Sequence, residues 1–161
     1  MLGRRDLVEA PDGGAVGRAG GDRGVVGRLL EDRADRLGER GVAEYLPVAY
    51  GRLCMHEFVL SGAPMKRELT IKTLDLAKRL LDHGFHPPTV YFPLLADEAL
   101  MVEPTETETR ETLDAFAQAI ADILAEAAVD PTVAEGAPYT TPVRRLDEVA
   151  AAKRPVIRQA L

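Results

Sequence analysis

Apolar residues recur at helical spacing in two long stretches of the chain, and we predict both to be helices. The first is Thr70–His83, whose apolar face comprises Ile71, Leu74, Ala77 and Leu81, widened by Leu76 and Leu80. The second runs from about Thr107 to about Ala128, with apolar positions at Leu113, Phe116, Ala117, Ile120, Leu124 and Ala127. A shorter helix is predicted near Asp147–Lys153. Each long helix therefore has one face to bury.

Three shorter segments are predicted to be strands, because they are rich in large apolar, β-branched or aromatic residues. They are Cys54–Leu60, Thr89–Phe92 and Ala99–Glu103. A proline ends each of the last two, since proline has no N–H to donate to a neighbouring strand. Leu94–Glu98 is the predicted turn between them. The segment with Lys66-Arg67-Glu68, and Asp130–Tyr139, are predicted to be loops.

Residues at the helix ends support these boundaries. Gly84 can adopt the left-handed conformation that closes the first helix, with Phe85 folding back as the apolar contact. The Pro87-Pro88 pair then prevents further helix. Thr105 and Glu108 have the spacing of a capping box, which places the start of the second long helix near Thr105.

The predicted order β-α-β-β-α makes this an α/β protein, a two-layer sandwich whose helices cover one face of a small sheet. We expect the last two strands to pair antiparallel. The expected core comprises Val59, Leu74, Leu81, Val90, Phe92, Leu100, Val102, Phe116 and Ile120. Because a three-stranded sheet has exposed edges, the tail, an N-terminal arm or a partner should cover one of them.

Composition and charge narrow the function classes. The chain has 161 residues, 46% of them hydrophobic, and a formal net charge of −6, which fits one domain with or without an arm. The negative charge argues against binding to nucleic-acid phosphates. No apolar run has the length needed to span a membrane. The single cysteine, Cys54, cannot form an internal disulfide, so we expect a cytoplasmic protein.

Residues 1–44 are predicted to be a separate, glycine-rich and arginine-rich arm. It has few large apolar residues, so we expect it to be disordered apart from an amphipathic helix at residues 25–40. Eight arginines in its first 40 residues are balanced by eight acidic residues, and a neutral arm makes a poor RNA-binding segment. It also lacks the glycine-rich motifs that bind phosphate groups.

Four segments of the remaining chain, taken in order, resemble one enzyme family. They are CMHEFVL at 54–60, HGFHPPTVYFPL at 83–94, EALMVEPTETE at 98–108, and TPV at 141–143 with RLDE at 145–148. Together they resemble the C-terminal part of glycine dehydrogenase (decarboxylating), the P-protein of the glycine cleavage system. The resemblance defines a domain that covers residues 45–161.

The resemblance implies the small C-terminal domain of a fold type I enzyme that depends on pyridoxal phosphate (PLP). This family of oxidoreductases of glycine catabolism decarboxylates glycine and passes the aminomethyl group to the lipoyl arm of the H-protein. Its PLP-binding lysine follows a histidine in the large domain, and no His-Lys pair occurs here. The implied partners are a large-domain or subunit 1-type P-protein chain and lipoylated H-protein. As a fragment without the lysine and phosphate loop, the chain is expected to bind no PLP and to be inactive alone.

His56 and Glu57 are the candidate catalytic residues, because the resemblance places their segment near the active-site mouth. An imidazole beside a carboxylate can transfer protons near neutral pH. Neighbours on a strand point to opposite faces, however, so only one of the two can face a given site. A purely structural histidine at position 56 is the alternative. The three histidines lack zinc-ligand spacing with Cys54, so no metal site is predicted.

A function from a different class stays open beside the enzyme. The same β-α-β-β-α unit could be a non-catalytic interaction or dimerisation module that uses an open sheet edge. A stable homodimer that ignores both PLP and the H-protein would favour that alternative. The ordered motif matches favour the enzyme.

Overall fold

The chain folds into helices packed on a small sheet, and the computed structural model describes residues 42–50, 57–105 and 107–158. In chain order the described elements are α1 (Val42–Tyr45), β1 (Phe58–Ser61), α2 (Ala63–Leu69), α3 (Thr73–Asp82), β2 (Thr89–Val90), β3 (Ala99–Val102), α4 (Arg110–Val129), α5 (Thr132–Glu135) and α6 (Glu148–Lys153). This confirms the predicted α/β class. The predicted helix at 25–40 and the first three residues of the predicted strand at 54–60 lie outside the described residues.

β3 is the central strand of a three-stranded antiparallel sheet, with β1 on one side and β2 on the other. Leu60 of β1 and Val90 of β2 both pair with Leu100 of β3. The antiparallel pairing of β2 with β3 is as predicted. β2 is shorter than predicted, because Tyr91 has a φ of +62° and turns the chain away from the sheet.

The outer edge of β1 is covered by the segment that follows α1. The Ser61 N–H donates to the Pro47 carbonyl at 2.9 Å, and the Ala49 N–H donates to the Val59 carbonyl at 2.8 Å. A cover for one edge was expected from the sequence. It comes from residues 47–49 rather than from the arm, the tail or a partner.

The core lies between the sheet and the helices α3 and α4, which contact each other. Its largest fully buried side chains are Leu46, Leu60, Met65, Ile71, Leu76, Leu80, Leu100, Ile120 and Ile123. Of the predicted core residues, Val59, Leu100, Val102 and Ile120 are buried, which confirms them. The prediction was wrong for Phe92, which is exposed, and only partly right for Leu74, Leu81, Val90 and Phe116, which are half-buried.

The buried face of α3 differs from the predicted face. Thr73, Leu76, Ala77 and Leu80 point inward, while Leu74 and Leu81 lie beside them at the edge. The helix begins at Thr73, and the residue before it, Lys72, is extended. Ile71 is therefore buried from outside the helix. Including Ile71 in the helical pattern rotated the predicted face by about one position.

Two segments predicted to be loops are short helices. Lys66-Arg67-Glu68 belongs to α2, and Thr132–Glu135 forms α5. Pro64 lies in the first turn of α2, and Pro131 immediately precedes α5. Proline is favoured there, because its fixed φ suits the first turn and its missing N–H would have no helical partner.

The closing turn of α3 confirms the predicted glycine cap. Gly84 has a φ of +82°, its N–H donates to the Leu81 carbonyl at 3.0 Å, and the Phe85 N–H donates to the Leu80 carbonyl at 3.1 Å. The Phe85 ring meets the Phe116 ring edge to face, with centroids 5.4 Å apart. This contact fixes the end of α3 against α4.

The predicted capping box at Thr105 and Glu108 was wrong. α4 begins at Arg110, and its N-cap is Thr109, whose hydroxyl accepts a hydrogen bond from the Thr112 N–H at 3.2 Å. Thr105 and Glu108 form a separate turn instead, closed by the Glu108 N–H on the Thr105 carbonyl at 3.1 Å. Several hydroxyl residues in a row left the capping position ambiguous in the sequence.

Candidate functional site

Of the two candidate catalytic residues, only Glu57 falls within the described chain. It lies directly before β1 and is half-buried, whereas His56 lies outside the described residues. The neighbouring pair Phe58 and Val102 places Glu57 and Glu103 at the same end of the sheet. The catalytic roles of His56 and Glu57 therefore stay predictions.

A groove of about 380 Å³ opens at this end of the sheet, between the turn after α3, the end of β3 and the start of α4. Phe85, Leu113 and Phe116 give it apolar walls, and His86, Glu103 and Glu108 are among its polar members. None of its described lining residues is a serine, a cysteine or a lysine. The groove can therefore bind a polar group, but it contains neither of the strongest nucleophiles, a cysteine thiol or a lysine amine, among its described residues.

The opposite end of the sheet holds a buried polar cluster of Gly62, Lys66, Thr73 and Glu98, here called the Glu98 cluster. Lys66 Nζ lies 2.6 Å from Glu98 Oε1. The Thr73 N–H donates to Glu98 Oε2 at 3.1 Å, and the Thr73 hydroxyl donates to the Glu98 backbone carbonyl at 2.8 Å. One residue of the β2–β3 turn thus ties together the start of α3 and the middle of α2.

Close backbone packing inside the Glu98 cluster explains the glycine at position 62. The Gly62 N–H donates to the Glu98 carbonyl at 2.9 Å. A Cβ at position 62 would lie 2.6 Å from the Thr73 Oγ1 and 3.1 Å from the Glu98 carbonyl oxygen. Glu98 itself has a φ of +49°, a left-handed conformation that costs a residue with a Cβ about 1 kcal/mol. The surrounding hydrogen bonds hold it there.

The electrostatics of the Glu98 cluster keep both of its charged groups ionised near neutral pH. Burial alone would raise the pKa of Glu98, but the hydrogen bonds from Lys66 and Thr73 outweigh it, and the pKa is lowered. The hydrogen bond to Glu98 raises the pKa of Lys66. Burial, followed by the negative charges of Glu98 and Asp75, raises the pKa of the nearby Tyr91 hydroxyl, which stays neutral.

A second buried carboxylate, Asp82, closes the other end of α3. It accepts hydrogen bonds from the Tyr139 N–H at 2.6 Å, the Thr140 N–H at 2.8 Å, the Thr140 hydroxyl at 3.0 Å and the Arg79 guanidinium at 3.1 Å. Burial opposes ionisation here too, but these donors lower the pKa of Asp82 overall. Asp82 therefore fixes the chain after α5 to the end of α3.

The tail continues along α3 and is held by Arg145. Its guanidinium lies 2.8 Å from Asp75 and donates to the Ala137 carbonyl at 2.7 Å. Arg144 stacks over the Tyr139 ring, with its guanidinium carbon 4.7 Å from the ring centroid. Of these residues only Arg145 belongs to a motif that carries the resemblance, and the motif does not show these contacts.

One feature of the sequence could have identified Asp82. An acidic side chain in the last turn of a helix faces the negative end of the helix dipole, so it needs other donors. The sequence has no comparable feature at Glu98. A positive φ is rare for glutamate, and the sequence does not show which helix its side chain reaches.

Neither a metal centre nor a membrane helix is found in the parts of the chain that the structure describes. No group of three or more His, Cys, Asp or Glu side chains there has a metal-binding arrangement. No helix in the same ranges combines the length and apolar character that crossing a bilayer requires.

Comparison with known proteins identifies the family. Residues 36–139, which include both ends of the sheet, the groove and the carboxylates of Asp82 and Glu98, match the family model described as "Glycine dehydrogenase, C-terminal domain". The chain belongs to this family. The resemblance drawn from the sequence motifs is thereby confirmed.

Curated relatives that match this glycine dehydrogenase domain carry one name. Proteins named probable glycine dehydrogenase (decarboxylating) subunit 2 are 56% identical over 117 residues in Kosmotoga olearia, 60% over 114 in Caldanaerobacter subterraneus subsp. tengcongensis and 55% over 119 in Bacillus velezensis. The matches cover 73%, 71% and 74% of this chain, but 24%, 23% and 24% of those relatives. The chain thus spans about a quarter of the length of the relatives it matches.

Proposed function

We propose that this chain supplies the C-terminal domain of a glycine dehydrogenase (decarboxylating) and acts with further polypeptide that holds PLP. The family match over residues 36–139 carries the proposal. In the complete enzyme, glycine would lose its carboxylate as CO2, and its aminomethyl group would pass to lipoylated H-protein. Because Cys54 has no partner for an internal disulfide, we place the activity in the cytoplasm.

The lysines of this chain do not fit the role of PLP anchor. An imine-forming lysine must lose its proton, which requires a lowered pKa. Lys66 is bound to Glu98, and its pKa is raised instead. Lys72 and Lys153 are exposed, and Lys78 lies half-buried on the outer side of α3. PLP therefore belongs, in this proposal, to another part of the enzyme.

The contribution of this domain is a structural surface next to the active site. By resemblance, the segment with His56 and Glu57 faces the active-site mouth, and the groove beside Glu103 opens at that same end of the sheet. One of the two side chains would then exchange protons with, or orient, the bound glycine. The other would take no part in that step.

A complementation experiment tests the proposal. The full chain would be mixed with a subunit 2 from Bacillus velezensis that lacks its final quarter, together with its partner subunit, PLP and lipoylated H-protein. We expect glycine-dependent CO2 exchange in the mixture and none from either component alone. PLP absorbance should accompany the large polypeptide. Turnover of glycine by this chain alone, with PLP bound to it, would refute the assignment.

The same assay tests the two candidate residues. One of His56→Gln and Glu57→Gln should lower the exchange rate at least tenfold, because a lost proton donor or acceptor slows the step it serves. The other should leave the rate within about twofold. Equal, small effects of both would remove them from the site.

The edges of the sheet give little support to the dimerisation module. The edge of β1 is already bonded to residues 47–49. β2 offers only two residues, preceded by Pro87 and Pro88 and followed by the turn at Tyr91. Strand addition needs a longer free edge than this.

A further inference from the structure

A run of large apolar side chains is displayed to solvent in the turn between β2 and β3. Tyr91 is 43% exposed, Phe92 56%, Leu94 87% and Leu95 93%. Scattered apolar residues on a surface need no explanation, but four exposed apolar side chains within five positions of one turn are unusual. Residues 91–95 are here called the apolar loop.

The base of the apolar loop is firmly fixed. The Tyr91 N–H donates to the Ala99 carbonyl at 2.9 Å, and the Ala96 N–H donates to the Pro93 carbonyl at 3.1 Å. The Ser61 hydroxyl donates to the Asp97 carbonyl at 2.9 Å. The next residue is Glu98, with its ion pair to Lys66 and its bonds to Thr73.

This anchoring explains how the loop keeps apolar side chains in water. Collapse of Leu94 and Leu95 onto the domain would be favourable for the side chains, but the bonds on both sides of the loop hold the backbone away from the core. A binding surface gains affinity when its backbone is already ordered, because less conformational entropy is lost on association. The loop also begins with Tyr91 and Phe92, and aromatic residues are enriched among those that dominate binding energy.

We propose that the apolar loop docks into a concave apolar surface on the polypeptide that makes up the remaining three quarters of glycine dehydrogenase subunit 2. This inference rests on the proposed function. The relatives are about four times as long as the matched segment, and the family model describes it as a C-terminal domain, so in those relatives a large body of polypeptide precedes it. Of the described surfaces, the β1 edge is already bonded and the inner face of the sheet is packed against the core. Exposed apolar side chains are found in the apolar loop and also near the C-terminus, but the loop lies within the matched residues 36–139, whereas Val156 and Ile157 do not.

The loop also lies at the opposite end of the sheet from the groove and Glu57. β2 and β3 pair from Thr89 with Met101 to Val90 with Leu100, so Tyr91 and Ala99 lie at the Glu98 end. Docking there would leave the end with Glu57 open toward the active site. Attachment and substrate access would then use different ends of one sheet.

Binding by paired variants tests the proposal. The full chain and the shortened Bacillus velezensis subunit 2 would be titrated against each other by calorimetry. The double variant Leu94→Ser and Leu95→Ser should bind at least tenfold more weakly than the unaltered chain. The matched control is Val156→Ser with Ile157→Ser, since these tail residues are 91% and 90% exposed. The control should bind within about twofold of the unaltered chain, and both variants should keep its unfolding midpoint.

Three results would overturn the docking proposal. The first is no binding by the unaltered chain, and the second is equal loss of binding in both double variants. The third is a homodimer of this chain that the loop variant dissociates, which would assign the loop to a second copy. Loop-dependent binding without CO2 exchange would leave the docking intact and refute the proposed activity. CO2 exchange at an unchanged rate with the loop variant would support the proposed activity and refute the docking of the loop.

Discussion

Each end of α3 is fixed by a buried carboxylate, Asp82 at one end and Glu98 at the other. These two connections, here called the Asp82 joint and the Glu98 joint, differ in the groups that surround them. At the C-terminal end, Asp82 accepts from two backbone N–H groups, a hydroxyl and the Arg79 guanidinium. At the N-terminal end, Glu98 accepts from Thr73 and from Lys66, whose side chain is 46% exposed. Asp82 joins the chain after α5 to α3, whereas Glu98 joins α2 and α3 to the turn that carries the apolar loop.

This difference separates a folding role from a binding role. The donors around Asp82 belong to the tail and to α3 itself, so their alignment completes the fold. The Glu98 joint holds an unfavourable backbone conformation in the same turn as four exposed apolar side chains. Strained residues that the surrounding structure holds in place are often found where a protein binds something. We therefore expect Asp82 mainly to stabilise the fold and Glu98 mainly to hold the apolar loop in position.

Removing the Asp82 carboxylate should have the largest effect on stability. We expect Asp82→Ala to lower the free energy of unfolding by about 3 kcal/mol, because the Thr140 hydroxyl and two backbone N–H groups would lose their acceptor and Arg79 would keep only Glu126 as a partner. Urea denaturation followed by circular dichroism measures the change. Asp122→Ala, at an exposed position on α4, is the control and should stay within about 0.5 kcal/mol. A loss no larger than that of the control would show that Asp82 is not a structural joint.

Removing the Glu98 side chain should lower the free energy of unfolding by less than removing Asp82. The effect should have two parts, the loss of contacts and the strain of the backbone. Glu98→Ala loses the ion pair and keeps the strained φ of +49°, so we expect a loss of about 2 kcal/mol. Glu98→Gly loses the same contacts but relieves the strain, and should recover roughly 1 kcal/mol of that loss. Equal unfolding free energies for the two variants would mean that the backbone at position 98 carries no strain.

A methyl group at position 62 should disturb the same joint by crowding. Gly62→Ala places a Cβ 2.6 Å from the Thr73 Oγ1, and we expect a loss of about 1 to 2 kcal/mol. Gly62 has an ordinary negative φ of −85°, so the effect is steric and not conformational. In a Thr73→Ala background the added methyl group has more room, so the same substitution should be less destabilising. Identical losses in both backgrounds would rule out the Thr73 contact as the cause.

The apolar loop shows which part of the structure the sequence could not supply. The pattern of apolar residues predicted the helices α3 and α4, the antiparallel β2–β3 pair and the closing glycine, because spacing and backbone preference are local properties. The same rules placed Phe92 in the core, and Phe92 is exposed. Hydrophobicity records a preference to leave water. It does not show whether the domain itself or a partner provides the shelter.

The candidate site divides in a similar way. The motifs at 54–60 and 83–108 identified the family, which the family match confirms. His56 and Glu57 came from the resemblance, not from geometry, and they stay predictions. The Glu98 cluster joins residues from three separated elements through a positive φ, and neither long-range contacts nor that conformation is visible in a residue pattern.

Acid should loosen both joints of α3, with a smaller effect than removing either side chain, because a protonated carboxyl keeps part of its hydrogen bonding. The folded-state pKa values of Asp82 and Glu98 are both lowered. Their contribution to stability is therefore fully present above the unfolded pKa values, near pH 4, and is lost as the pH falls through the folded values. The free energy of unfolding should fall between about pH 6 and pH 2, and this fall should be smaller in Asp82→Asn and in Glu98→Gln.

If docking depends on the Glu98 joint, binding through the apolar loop should weaken over the same acid range in the unaltered chain and less in Glu98→Gln. A binding affinity that does not change with pH in either protein would show that docking does not depend on Glu98. The proposed difference between the two ends of α3 would then be wrong.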